Sequence, residues 1–437
     1  MARKVFISFL GTNNYLQTYY EFEGEKSSPV RFVQEALTDR LCNNWSVNDK
    51  ILIFYTKDSK RLNWEDNGQE RAESEIEKIG LKSIFSQKSF SDIVEGVMIE
   101  EGFTKNEIWS IFDVVYDKLE EDDEIYFDVT HAFRSIPMFS TVLFNFAHLM
   151  KGTSLKSVHY GAFEKLGPSY EVKKMPLEDR VAPIIDLTSL IELQNLTHIA
   201  SGFVEYGKIG KIGSMLNVSS FPSQMSQTVS KLKIAIDKLE GYILTNRISD
   251  IIEAKFIEDI NISFSKLLKS EEIKAAEIAV LKKLVSKLSE FKKDSEENVL
   301  AAIRWAFEYD MIVQAYTMAQ EYLITCVYKI YKEDNFYEEP KAKDREKKYR
   351  MFIGSVLGIS DKDVINDNLS GNLQDNEVLA KRMLDEDFIK RIRSHYKKIA
   401  DNRNTLNHAK KSDLTIEQFK SQFEISFKEC LNQFESC

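Results

Sequence analysis

The chain has 437 residues, with 59 Lys and Arg against 69 Asp and Glu, a formal charge of −10 at pH 7, and 43% hydrophobic and 11% aromatic residues. That apolar content excludes a disordered, collagen-like or disulfide-stapled polypeptide, and the length suits roughly three domains of about 150 residues or two larger ones. The acidic total argues against a protein that coats DNA by bulk electrostatics, though not against a local basic site.

In chain order, the first ~180 residues alternate strand-like and helix-like patterns, the arrangement that builds a parallel sheet covered by helices. Strands are predicted at Val5 to Leu10, Lys50 to Tyr55, Glu124 to Val129 and Leu155 to Tyr160. Helices are predicted at Arg31 to Cys42, Thr104 to Leu119 and Ile136 to Met150, with Thr104 and Ser135 as N-caps and Pro137 in a first turn. This half reads as a Rossmann-like α/β domain. After Pro183 the pattern turns helical, with apolar residues at three- and four-residue spacing. A tract containing Gly202, Gly207, Gly210 and Gly213 and running to Ser230 is expected to be an exposed loop, because no strand precedes it and no Gly-Lys-Ser/Thr follows. Asp334 to Arg350 is expected to be a solvated loop or exposed helix.

Cys42, Cys326, Cys430 and Cys437 are scattered, without a C-x-x-C pair or a His cluster at zinc spacing, so reduced structural thiols are expected and no metal is. The apolar run from Val5 to Leu10 is too short for a secretory signal, and Ser135 to Met150 falls short of the ~20 residues of a membrane span. A cytoplasmic location without membrane partners is expected.

Two segments of the α/β half carry chemistry. Gly11, Thr12, Asn13 and Asn14 follow the opening strand, and Asp128 to Ser135 lies between a strand and a helix. In open parallel sheets the ligand crevice lies beyond the carboxyl ends of the strands, where both segments emerge. Backbone N–H groups near Gly11 and Ser135 can face an anion, Thr12, Asn13 and Thr130 add neutral donors, Arg134 can pair with phosphate, and His131 or Phe133 can stack on a base. The ordinary alternative for Asp128 and Thr130 is a turn network.

Near the other end lies Asp401-Asn402-Arg403-Asn404-Thr405-Leu406-Asn407-His408. From Lys390 to Lys411 there are eight basic residues against one acid, the footprint of a polyanion site in an acidic protein; a solvated helix face is the alternative. Arg and His together can cleave RNA without a metal. The His serves as general base or acid, the Arg holds the phosphate, and the adjacent 2′-hydroxyl attacks. Five helical residues rotate by about 140° and rise about 7.5 Å, so Arg403 and His408 of one chain do not converge on one phosphate; two copies about a two-fold axis can.

Asp128-x-Thr130-His131 followed by Phe133-Arg134-Ser135-Ile136-Pro137 resembles the signature of the CRISPR-associated DxTHG-motif proteins, with Ala132 where that family has Gly. Arg403, the polar Asn404 and His408 resemble the dimeric active site of HEPN ribonucleases, and Trp305 to Tyr309, Gln314-Ala315 and Glu321 resemble the leading helices of that domain. The resemblance implies an α/β Rossmann-like CARF domain over 1–185 that senses cyclic oligoadenylate, an all-α connector over 186–297 and a HEPN ribonuclease domain over 298–437. It places Gly11, Thr12, Asn13, Asn14, Asp128, Thr130, His131, Phe133 and Arg134 at the activator and Arg403, Asn404 and His408 at the catalytic centre. It implies cyclic tetra-adenylate as activator, with cyclic hexa-adenylate the alternative, single-stranded RNA as substrate, a homodimer or higher even oligomer, and a functional link to the type III CRISPR interference complex. A non-catalytic nucleotide-sensing regulator that binds nucleic acid is the other reading.

Overall fold

The computed structural model describes residues 2–69, 74–131, 136–207, 223–271, 273–332, 342–408 and 410–435. The chain divides into two compact units, Met1–Glu192 and Leu193–Cys437, and each is described by itself.

In the first unit the opening strand, β1 (Lys4–Leu10), is apolar on both faces because both are covered. Val5, Ile7 and Phe9 enter one hydrophobic cluster while Phe6 and Leu10 enter another. β4 (Lys50–Tyr55) divides in the same way, with Leu52 and Phe54 on one side and Ile51, Ile53 and Tyr55 on the other. Helix α1 (Val33–Leu41) packs into one cluster, and α2 (Lys105–Asp117) and α3 (Ile136–Lys151) into the other. Thr104 caps α2 as predicted: its Oγ1 accepts from the Glu107 amide at 3.2 Å. Ser135 lies outside the described residues.

Among the described residues the sheet has eight strands, in the order β3 (Glu25–Lys26), β2 (Tyr19–Phe22), β8 (Val181–Asp186), β7 (Ser154–Gly161), β6 (Glu124–Asp128), β1, β4, β5 (Val94–Met98). Five consecutive strands, β7, β6, β1, β4 and the edge strand β5, run parallel. After β1 the chain lays β2 and β3 at the far edge, returns to add β4 and β5 outward on one side of β1, and then lays β6 on β1's other side, so the topological switch lies between the carboxyl ends of β1 and β6.

Four strands were not predicted. β2 (Tyr19–Phe22) and β3 (Glu25–Lys26) are very short, and β8 (Val181–Asp186) contains Pro183. β5 reads Val-Glu-Gly-Val-Met, and its Gly96 is where a Cβ would meet the Trp64 and Tyr55 rings at 2.6 and 2.7 Å.

The second unit is helical. Its longer helices are the end of α4 (Thr188–Tyr206), then α5 (Ser226–Leu244), α6 (Lys255–Leu268), α7 (Ala275–Ser286), α8 (Glu297–Glu308), α9 (Ile312–Tyr331), α10 (Ala342–Gly358), α11 (Glu377–Asp385), α12 (Asp387–Asn407) and α13 (Ile416–Glu435). One hydrophobic cluster, from Leu196 to Cys430, runs through all of them, and α12 packs on α9, α10 and α13.

The tract predicted as a loop is helical at its described ends. Gly202 lies within α4, with open space where a Cβ would stand, and Ser226 and Ser230 lie within α5; residues 208–222 lie outside the described residues. Gly207 ends α4 with φ +60°, and a side chain there would enter the Tyr309 ring. Similarly α10 begins at Ala342 and buries Tyr349, whereas 333–341 lie outside the described residues.

Candidate functional site

At the switch point, the segments after β1 and β6 line a cavity of about 260 Å³ together with Arg31 and the end of β7; its walls include Asn13, Asn14, Tyr15, Thr130 and His131. Asp128 lies beneath this wall rather than in it. It is fully buried, and its carboxylate accepts from Ser8 Oγ at 2.7 Å and from the Thr130 amide and hydroxyl at 3.0 and 2.5 Å. Thr130 Oγ1 in turn accepts from the Gly161 amide at 2.8 Å, tying the β6 turn to the end of β7. This is the turn network weighed for these two residues from sequence, and it aims His131 at the cavity. Burial raises the Asp128 pKa against the hydrogen bonds that lower it.

Gly11 is not among the cavity-lining residues, and a Cβ on it would strike the Tyr15 hydroxyl. Its role here is to seat Tyr15, whose ring lies 4.5 Å from the His131 ring and 5.5 Å from that of Phe32. Thr12 and Asn13 are exposed. Asn14 Oδ1 and His131 Nε2 are buried without a hydrogen-bond partner among the described residues, two polar atoms on one cavity wall that a ligand would satisfy. Phe133 and Arg134 lie outside the described residues, as does Ala132.

Burial pushes the His131 pKa down to about 4, so the ring is neutral at pH 7 and offers hydrogen bonding or stacking rather than charge. A histidine whose folded pKa lies below its unfolded value of about 6.5 contributes stability above that value and loses it as pH falls toward 4. The first unit is therefore expected to melt progressively lower from pH 6.5 to pH 4, and His131→Gln to flatten that slope. Parallel slopes in thermal melts of the two proteins would contradict this.

Two residues of this site were not anticipated from sequence. Arg31, 3% exposed, donates through NH1 to the carbonyls of Ile76, Glu77 and Ile79 at 3.2, 2.6 and 2.8 Å, and through NH2 to Asn63 Oδ1 at 3.1 Å. Asn63, in a π-helical turn (Lys60–Trp64), donates to the carbonyls of Gly11 and Asn13 at 2.8 and 2.9 Å. The loop after β1 is thus held by side chains about twenty and fifty positions further along. Neither sits in a motif, so spatial adjacency was their single signal.

The second site is in the helical unit. α12 remains regular to Asn407, and His408 is its C-cap, exposed, with φ −97° and its amide donating to the Asn404 carbonyl at 3.1 Å. Arg403 stands in the last turn, half-buried, donating through NH1 to Asn404 Oδ1 at 3.1 Å; its Nε is buried without a partner among the described residues. Asn404 therefore orients the guanidinium. Asn402 anchors this turn to the core: its amide donates to Tyr316 Oη and Gln422 Oε1, both at 3.0 Å, and Tyr316 donates to the Phe419 carbonyl at 2.8 Å. A buried, fully engaged amide fixes the azimuth from which Arg403 projects.

The basic island is smaller than its sequence count. Arg393 is buried and donates to the Ile359 carbonyl at 2.8 Å and to Asp361 at 3.1 Å, and Lys397 pairs with Asp401 at 3.2 Å. Lys390, Arg391, Lys398, Lys410 and Lys411 are exposed. Among the described residues no three His, Cys, Asp or Glu are grouped to hold a metal ion, and no helix is long and apolar enough to cross a membrane.

Comparison with known proteins bears on the first unit. A family model described as CRISPR system endoribonuclease Csx1, CARF domain, matches residues 5–164. The chain is 29% identical over 159 residues to the CRISPR-associated protein MJ1674 of Methanocaldococcus jannaschii (strain ATCC 43067 / DSM 2661 / JAL-1 / JCM 10045 / NBRC 100440); the match covers 36% of this chain and 22% of that protein, so it spans about a fifth of the relative's length. Among solved structures, Enterococcus italicus Csm6 bound to cyclic hexa-2′-fluoro-hexa-dAMP aligns with a TM-score of 0.48 and 13% identity, covering 100% of this chain and 94% of that one.

Proposed function

We propose, for a chain whose residues 5–164 match the Csx1 CARF domain, that it is an endoribonuclease of type III CRISPR antiviral defence, activated by cyclic oligoadenylate and acting on single-stranded RNA without a metal. In this reading 1–185 is the sensor, 186–297 the connector and 298–437 the HEPN nuclease, and the enzyme is a homodimer or higher even oligomer. The observation that carries it is the exposed His408 at the end of α12, one turn beyond an Arg403 oriented by Asn404 and anchored through Asn402, in a chain whose other unit matches the Csx1 CARF-domain model.

The chemistry follows from these groups. His408 takes the proton of a ribose 2′-hydroxyl as its oxygen attacks the adjacent phosphorus, and Arg403 balances the charge on the pentacoordinate phosphate. The P–O5′ bond breaks and the leaving oxygen gains a proton. The products are a 2′,3′-cyclic phosphate and a 5′-hydroxyl, and DNA, which lacks the nucleophile, is untouched. Because five residues of regular helix turn the two side chains apart by about 140°, the composite site draws on both copies.

The activator occupies the switch-point cavity, where Asn14 Oδ1 and His131 Nε2 await partners, and it switches the nuclease by binding the active arrangement more tightly than the resting one. The test is cleavage of labelled single-stranded RNA in EDTA, with cyclic tetra- or hexa-adenylate added. Cyclic-phosphate ends that appear with activator support the reading, whereas RNA that is shifted in a gel but uncut favours the non-catalytic regulator.

A further inference from the structure

Eight basic residues lie between Lys390 and Lys411, and the cleavage chemistry uses one of them, Arg403. The fold sorts the others. Along α12 the inner face is Ile389, Ile392, Arg393, Tyr396, Ile399 and Ala400, all buried, at the three- and four-residue spacing of a helix that packs on one side. The outer face carries the exposed Lys390, Arg391, Ser394, Lys398 and Asp401 and ends at the exposed His408. At 100° per residue, Lys390, Arg391, Lys398 and His408 fall within about 100° of one another around the helix. They form a stripe on which Lys398 stands about 15 Å before His408, and Arg391 about 10 Å before Lys398.

What sets this stripe apart is that its charge is not paired. Elsewhere in the helical unit cations sit on acids: Lys287 on Glu308 at 2.8 Å, Lys293 on Glu258 at 2.7 Å, Arg304 on Glu290 at 2.6 Å and Lys420 on Asp310 at 2.6 Å. Among the described residues Lys390, Arg391 and Lys398 enter no ion pair, whereas Lys397 is neutralised by Asp401 at 3.2 Å. A merely solvated helix face needs no such segregation of sign, least of all in a chain of net charge −10. The stripe is also bounded. Asp385 and Asp387, both exposed, close it at the start of α12, and at its other end it runs onto His408.

We propose that the outer face of α12 is a backbone track for the RNA flanking the cut, on which Arg391 and Lys398 hold phosphates several nucleotides from the one at His408. The polyanion is the substrate strand itself, because the stripe ends on the residue that takes the proton of its 2′-hydroxyl. Guanidinium and ammonium groups grip phosphate whatever the base, so the track sets where the strand lies without reading its sequence. Each such contact releases counterions, which gives the track a salt signature of its own. The inference rests on the ribonuclease reading above and adds to it two substrate-binding residues that no motif contains.

The test measures binding of a labelled single-stranded RNA by fluorescence anisotropy at several salt concentrations, using the full-length His408→Ala protein with saturating cyclic oligoadenylate so that the RNA is held and not consumed. Added to that background, Arg391→Ala and Lys398→Ala are each expected to weaken binding about 3- to 10-fold at low salt and to lower the slope of log K against log salt by about 0.7, the value for one phosphate contact on a single strand. Arg391→Lys should restore most of the slope. Lys283→Ala, which removes an exposed charge from α7, should change neither quantity. With His408 in place, the two alanine variants should raise KM and leave kcat within about twofold, and the effect should vanish for RNAs trimmed too short to reach Lys398. An unchanged salt slope in folded Arg391→Ala and Lys398→Ala proteins, or an equal loss in Lys283→Ala, overturns the track while leaving the nuclease in place. A wild-type protein that binds RNA through Arg391 and Lys398 yet cuts none overturns the nuclease reading and keeps the track.

Discussion

His408→Ala is expected to lower activator-stimulated RNA cleavage by about 10²- to 10⁴-fold, the usual contribution of a positioned general acid or base, while activator affinity stays at the wild-type value. The side chain is exposed at the end of α12, and the hydrogen bond at this position is made by its backbone amide to the Asn404 carbonyl, which alanine retains. Surface changes of this kind alter stability by no more than about 0.5 kcal/mol, so the variant should melt with the wild type and any lost activity belongs to the chemistry. Single-turnover cleavage at saturating activator is the measurement. Activity within tenfold of wild type would remove His408 from the mechanism. Arg403→Lys provides the companion test. It keeps the charge but discards the planar fork that Asn404 orients, so a comparable loss would show that guanidinium geometry matters beyond charge.

The neighbourhood of this pair shows where sequence reasoning reached its limit. In Asp401-Asn402-Arg403-Asn404 every residue is polar, and nothing in the string distinguishes the asparagine that orients Arg403 from the one that anchors the helix. The fold makes the distinction: Asn402 is buried against Tyr316 and Gln422, residues 86 and 20 positions away. Arg393 illustrates the same limit from the other side, since it counted toward the basic island and lies buried against Asp361. Of the four predicted strands, β1 and β4 were legible because both their faces are covered, which produces nearly continuous apolar runs. The missed strands are short or interrupted, and their identity comes from neighbours: β8 pairs with β7 and β2, and β5 with β4. At the switch point the motif residues were legible as a group, but their division of labour was not. Asp128 supports, Gly11 makes room for Tyr15, and His131 faces the cavity.

Arg31→Ala should produce the complementary phenotype, losing the activator rather than the chemistry. Arg31 is almost fully buried and supplies hydrogen bonds to three backbone carbonyls, of Ile76, Glu77 and Ile79, and to the side-chain oxygen of Asn63. Alanine removes these four contacts; the Ile76 carbonyl keeps the Ile79 amide at 3.3 Å and Asn63 Oδ1 keeps Gln69 Nε2 at 2.9 Å, and each buried group that loses its donor costs about 1–3 kcal/mol unless water reaches it. A destabilisation of the first unit by about 2–4 kcal/mol is therefore expected, toward the upper end of single substitutions. The consequence for function runs through Asn63. Its amide holds the carbonyls of Gly11 and Asn13, so leaving Gln69 Nε2 as the donor to its Oδ1 once Arg31 is gone loosens the loop that carries Asn13 and Asn14 into the cavity wall. Activator affinity should fall more than about 100-fold, matching the release of two or more hydrogen bonds that order the site. Asn63→Ala, which removes the second half of the relay and leaves the three carbonyl contacts of Arg31 intact, should weaken binding with a smaller drop in melting temperature. Titration calorimetry with cyclic oligoadenylate, paired with thermal melts, separates the two effects. Wild-type affinity in Arg31→Ala would mean that the cavity does not depend on this relay, and the activator would then have to be sought at another part of the sheet's carboxyl edge.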